Sequence, residues 1–168
     1  VGAPEQAVRL AAACKAHPAL EPLALEYIGP RAMEMMRRMG RSTSAYVEVE
    51  RLPADVRAAV YIELPFADEA GLDGIYGAVC EVLDSVGLDA SRSWAGFTDG
   101  DAEEMKRLRH AVPETVNAII GRRKARSPEL HKVGTDMAVP DESLPEMMRI
   151  YEEKLAASGL EFVISVSY

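Results

Sequence analysis

Apolar residues recur at helical spacing in some stretches of this chain and alternate at strand spacing in others. Residues 5–16 are Ala-rich and predict a helix, ended by Pro18 and Pro22. Residues 23–28 read as extended, Gly29-Pro30 punctuates, and residues 31–39 predict a short helix with Gly40 placed to cap it. Residues 41–57 read as a long loop, with an edge strand suggested where 46–50 alternate. Residues 58–65 are a strong strand. Residues 71–86 place Leu72, Ile75, Val79, Leu83 and Val86 on one helical face, and Gly87 ends that helix. A strand is predicted over 92–97. The next helix is expected to begin at an Asp99 or Asp101 cap and run to about Ile120, with Pro113 in its middle. Residues 121–128 read as a basic loop, 130–139 as a strand ending at Pro140, 144–158 as a helix stopped by Gly159, and 161–168 as a closing strand.

Strands that alternate with helices allow a parallel doubly wound sheet. No Gly-rich phosphate turn follows any strand, however. The pattern therefore favours an α+β chain, ferredoxin-like, with an antiparallel sheet and helices mainly on one face.

Composition narrows the function classes. The chain has 168 residues, 48% hydrophobic and 27% charged, the balance of an ordinary globular domain with a sizeable core. A net charge of −8 disfavours duplex nucleic acid and anionic membrane as partners. No apolar run approaches the ~20 residues that span a bilayer. Cys14 and Cys80 both fall in predicted helices, without a Cys-x-x-Cys pair or a His at ligand spacing, so two buried reduced thiols in a cytoplasmic protein are favoured over a single disulfide between them. A chain that opens on Val1 and stops on the last residue of a predicted strand reads as a piece of a longer protein.

Most of the candidate chemistry lies in residues 106–140. Lys106-Arg107-Leu108-Arg109-His110-Ala111-Val112-Pro113-Glu114 occupies the Pro-containing helix, and Lys132-Val133-Gly134-Thr135-Asp136-Met137-Ala138-Val139-Pro140 the predicted strand after it. Other groups have plainer readings. His17, His110 and His131 read as structural or surface residues, Glu63 as a strand carboxylate that is either buried or facing water, and Trp94 as core. The basic run Arg122, Arg123, Lys124 and Arg126 reads as a solvated loop that could instead dock an acidic surface. Met33, Met35, Met36 and Met39 read as core or interface.

The 106–140 segment resembles the C-terminal domain of FAD-linked oxidases, the group that includes D-lactate, glycolate and D-2-hydroxyglutarate dehydrogenases. Members carry an Arg-led helix, often with a Pro a turn later, then a strand ending in Asp, a few small or apolar residues and Pro. The resemblance implies that residues 1–168 are one fragment of a substrate-binding cap. The full enzyme would oxidise a 2-hydroxy acid to a 2-oxo acid by hydride transfer to FAD. Arg109 matches the Arg that grips the substrate carboxylate, a task suited to a guanidinium fork. Lys132 would assist, although it is offset by two positions from the family pattern, where Gly134 falls. Thr135 follows the pattern as a substrate-binding residue, and Asp136 follows it either as a turn cap or at the substrate. Pro113 stands where D-2-hydroxyglutarate relatives have Thr, which puts that substrate in doubt.

No catalytic residue is expected in this chain. The family's Gly-His-x-Gly-Asp-x-x-x-His motif, with its His base and a divalent metal, would follow it. FAD would sit on a separate FAD-binding domain of the same polypeptide. The expected partners are that domain and a small 2-hydroxy acid, without nucleic acid or a transmembrane segment. A homodimer is left open, as is a peripheral membrane association of a cytoplasmic protein. The competing expectation is a ferredoxin-like small-molecule-binding or protein-interaction module without redox activity.

Overall fold

The computed structural model describes residues 1, 4–40, 49–50 and 52–167. Its elements are α1 (Pro4–Ala16), β1 (Ala24–Ile28), α2 (Pro30–Met39), β2 (Ala59–Glu63), α3 (Glu69–Ser85), α4 (Asp99–Lys124), α5 (Leu144–Ala157) and β3 (Ser165–Ser167). Short 3-10 turns occupy Ala90–Arg92 and Asp141–Ser143. The chain is α+β with an antiparallel sheet, as expected. Its strand order is β2-β1-β3, and β1 pairs antiparallel with both neighbours.

The chain divides into two compact units. The first holds residues 1–33, 53–96 and 163–168, and the second holds 34–52 and 97–162. In the first unit Leu25 lies opposite Ile62 and Tyr27 opposite Val60, so these four side chains share one sheet face. Two helices supply the apolar stripes that meet it. On α1, Ala7, Leu10, Ala11 and Cys14 follow i, i+3, i+4, i+7 spacing and are buried. On α3, Ala78, Val82 and Leu83 are buried, with Ile75, Val79 and Val86 packed beside them. Leu10, Cys14, Leu25, Val82 and Leu83 thus belong to one continuous core. Asp68 starts α3 by accepting from the Gly71 amide at 2.8 Å, and Gly87, at φ 70°, ends it.

In the second unit the buried apolar residues are Met35 and Met36 of α2, Val49, Leu108, Ala111 and Val112 of α4, and Leu144 and Met148 of α5. Helix α4 begins in a capping box. The Thr98 hydroxyl accepts from the Asp101 amide at 3.2 Å, and Asp101 accepts from the Thr98 amide at 3.1 Å. The cap is therefore Thr98 rather than Asp99 or Asp101, with Asp101 as its reciprocal partner.

Other expectations need correction. Residues 92–97 form no strand. Asp89 instead caps a 3-10 turn over Ala90–Arg92 by accepting from the Ser91 amide at 2.9 Å, and Phe97 at the far end of the segment is 51% exposed. Trp94 is half-buried rather than core. Helix α4 continues through Lys124, turning the first half of the expected basic loop into a helical turn. Cations there favour the negative end of the helix dipole. Residues 131–139 have no strand partner and are almost wholly exposed. Among the described residues the closing strand is limited to Ser165–Ser167, and Tyr168 lies outside them. Of the suggested edge strand at 46–50, positions 46–48 lie outside the described residues, and Val49 and Glu50 are helical. Both cysteines are free, Cys14 buried and Cys80 half-buried.

Gly29, between β1 and α2, is held by a close approach. Its amide donates to the Ile164 carbonyl at 3.3 Å, and a Cβ there would lie 2.9 Å from that oxygen and 3.3 Å from the Tyr27 ring. Gly77 on α3 has open space where its Cβ would be. The same substitution should therefore act with opposite sign at the two sites. Gly29→Ala should destabilise by about 1–3 kcal/mol through overpacking. Gly77→Ala should stabilise by roughly 0.5–1 kcal/mol through helix propensity. Chemical denaturation of both variants checks this, and equal effects at the two sites would contradict it.

Burial also pushes the Cys14 thiol up to about 11 from an ordinary 9.0. The native state then holds this proton more tightly than the unfolded chain does. Its contribution to stability is complete below about pH 9 and declines as the pH climbs toward 11. Cys14→Ala should flatten that alkaline slope. Unfolding free energies measured between neutral pH and pH 11 would show the slope persisting if another group were responsible.

Candidate functional site

The segment richest in candidate chemistry maps onto the second unit, where α4 presents two different faces. Leu108, Ala111, Val112 and Thr115 form its buried stripe. Arg109, Pro113 and Asn117 follow one another at i, i+4 and i+8 along another stripe, where Arg109 is half-buried and Pro113 and Asn117 are exposed. Pro113 has no N–H, so the Arg109 carbonyl lacks the intrahelical donor that would normally reach it.

Lys132 is exposed in the irregular segment after α4, and its Nζ donates to Asn117 Oδ1 at 3.2 Å. The candidate lysine is thereby tied to the helix that carries the candidate arginine. Thr135 and Asp136 are exposed in the same segment. That segment meets α5 through Tyr151, whose hydroxyl donates to the Met137 sulfur at 2.6 Å. Asn117 was not singled out from the sequence. A lone Asn on a helix carries no signal until the chain beyond the helix folds back onto it.

The basic run is partly committed to structure. Arg123 and Arg38 both donate to the carboxylate of Glu161, whose ionised form these guanidiniums favour, so its pKa lies below the usual carboxylate range. Arg122 lies beside the Met39 sulfur at 3.8 Å. Arg123 thus acts as one arm of an ion-pair clasp within the second unit, not as a residue of a solvated loop.

In the first unit, Glu63 is half-buried on edge strand β2 and accepts from the Tyr61 hydroxyl at 2.9 Å. His17 is structural, since its Nδ1 accepts from the Ala19 amide at 3.2 Å and its Nε2 lies 3.5 Å from Glu81. His110 and His131 are exposed. Among the described residues no group of His, Cys, Asp and Glu is arranged to hold a metal ion. None of the described helices is long and apolar enough to cross a membrane.

The strand-to-helix turn at Gly29-Pro30 is the place to look for a dinucleotide cradle, because backbone amides at a helix start can bind phosphate. The Ile164 carbonyl fills the space against Gly29, so a pyrophosphate has no room there. This turn does not fit the pyrophosphate of FAD.

Thr115, in the buried stripe of α4, is fully buried and its hydroxyl finds no partner among the described residues. An unsatisfied buried hydroxyl costs about 1–3 kcal/mol. Thr115→Val keeps the shape and removes the polar atom, so it should raise stability by roughly 1 kcal/mol. A melting temperature that falls instead would mean that the hydroxyl does have a partner in solution.

The profile of the family described as FAD linked oxidases, C-terminal domain, matches residues 1–166. No curated protein and no solved structure matches the chain.

Proposed function

Because this chain belongs to the family of FAD linked oxidase C-terminal domains, we propose that it is the substrate-binding cap of an enzyme oxidising a 2-hydroxy acid to a 2-oxo acid. Redox chemistry in such an enzyme is the work of the flavin, and the protein supplies binding and orientation. The FAD-binding domain would be a separate part of the same polypeptide, in keeping with the crowded turn at Gly29.

In this reading Arg109 grips the substrate carboxylate. The observation that carries it is the position of Arg109 on α4, half-buried, with Lys132 fastened to the same helix through Asn117. A partly desolvated guanidinium binds a carboxylate through two parallel hydrogen bonds and stays charged at any working pH. Lys132 supplies a second cation, and Thr135 a hydroxyl from the neighbouring segment. The proton-accepting base lies outside these residues. A 2-hydroxy acid fits this set because its carboxylate and adjacent hydroxyl present the acceptors and the donor that a cation and a threonine can meet.

The test is steady-state kinetics of the full-length enzyme on D-lactate, glycolate and D-malate. Arg109→Ala should lower kcat/KM about tenfold to a hundredfold, since a hydrogen bond to a charged group contributes about 1.5–3 kcal/mol. Arg126→Ala, at an exposed position after α4, should change it by less than about fivefold, the scale of a surface charge. Arg109→Lys should recover little, because an ammonium cannot reproduce the fork. Equal and small losses in both Ala variants across the panel would overturn the assignment of Arg109.

A further inference from the structure

We infer that Asn117 is a positioning residue for Lys132, holding its ammonium beside the face of α4 that carries Arg109. The inference rests on the reading above that Lys132 assists substrate binding.

Lys132 lies in residues 131–139, which form neither helix nor strand, and it is exposed. A lysine in such a segment samples many rotamers, and a ligand that recruits it must pay for their loss. Asn117 removes much of that freedom. An ammonium has only donors, so it can meet only the carbonyl oxygen of the Asn amide, and Asn117 Oδ1 sits 3.2 Å from Lys132 Nζ. The acceptor is neutral. It orients the ammonium while leaving its charge uncompensated and two of its three protons available to a ligand. A carboxylate at 117 would hold the lysine equally well but would neutralise it as an anion site.

The helix fixes where that charge is held. Asn117 follows Arg109 by two steps of four residues, so the two positions run along one side of α4, about 12 Å apart at about 1.5 Å rise per residue. Both side chains reach several ångströms, so cations held at these two points can flank one small anionic ligand.

The experiment is a double-mutant cycle in the full-length enzyme, reading kcat and KM separately with D-lactate and glycolate. Asn117→Ala should lower kcat/KM roughly three- to tenfold, the scale of one hydrogen bond to a neutral acceptor, with most of the loss in KM. Lys132→Met should cost at least as much. The double variant should match Lys132→Met alone, because Asn117 acts only through the lysine. Asn117→Gln should recover part of the loss, while Asn117→Asp should not, since its charge captures the ammonium. The exposed Asn117 tolerates Ala on helix propensity, and unchanged thermal melts confirm that the variants fold. If Lys132→Met has no effect on KM, the substrate role of the lysine falls and the inference falls with it. If Lys132→Met is impaired but Asn117→Ala is silent, or the two losses multiply, the positioning role alone is overturned.

Discussion

Strand β1 is paired on both sides, with β2 along one edge and β3 along the other. A central strand has its backbone groups committed to its neighbours, so only its side chains remain to organise the surroundings. Leu25 and Tyr27 face the same way and are nearly inaccessible to water. Helices α1 and α3 complete the first unit because each has an apolar stripe that must be covered. The alanines at 7, 11 and 78 are the small residues within those stripes. The same strand explains the crowding at Gly29. The chain leaves β1 directly into α2 while Ile164, just before β3, accepts from the Gly29 amide. A side chain at 29 would have to displace that backbone oxygen.

The second unit is organised by a single long helix. One stripe of α4 is committed to the interior and another carries Arg109, Pro113 and Asn117. Pro113 interrupts the hydrogen-bond ladder within the second stripe, apart from the buried stripe of Leu108, Ala111, Val112 and Thr115. A helix used in this way holds side chains at fixed spacing, which a loop of the same composition would not do. The segment after it, 131–139, returns Lys132 to the helix without being part of any sheet. At the far end of α4, Arg123 joins Arg38 on Glu161, so a local excess of positive charge stabilises one carboxylate of an otherwise acidic chain.

Membership of an FAD-linked family directs attention to what this chain contributes beside a flavin. The turn between β1 and α2 is filled by backbone at Gly29, Arg123 is paired with Glu161, and Lys132 is tied to α4 through Asn117.

Local pattern alone determined most of the helices. The Ala-rich helix at 5–16, the helical face through 75, 79, 83 and 86, the glycine stops at 40, 87 and 159, and the strands around 25 and 61 are legible because spacing and turn chemistry are properties of neighbouring residues. The antiparallel, α+β character also followed from local signals, since phosphate-turn glycines were missing after the strands. The resemblance carried by residues 106–140 agrees with the family match over the whole chain. Tertiary structure decided the rest. Residues 92–97 and 130–139 read as extended, but a strand exists only where another edge accepts its hydrogen bonds, and no local pattern records whether such an edge is present. The capping box at Thr98 and the helical course of Arg122 to Lys124 depended on which competing signal prevailed at each helix end. The tie between Lys132 and Asn117 joins positions fifteen residues apart, and only the return of the chain to α4 brings them within hydrogen-bonding distance.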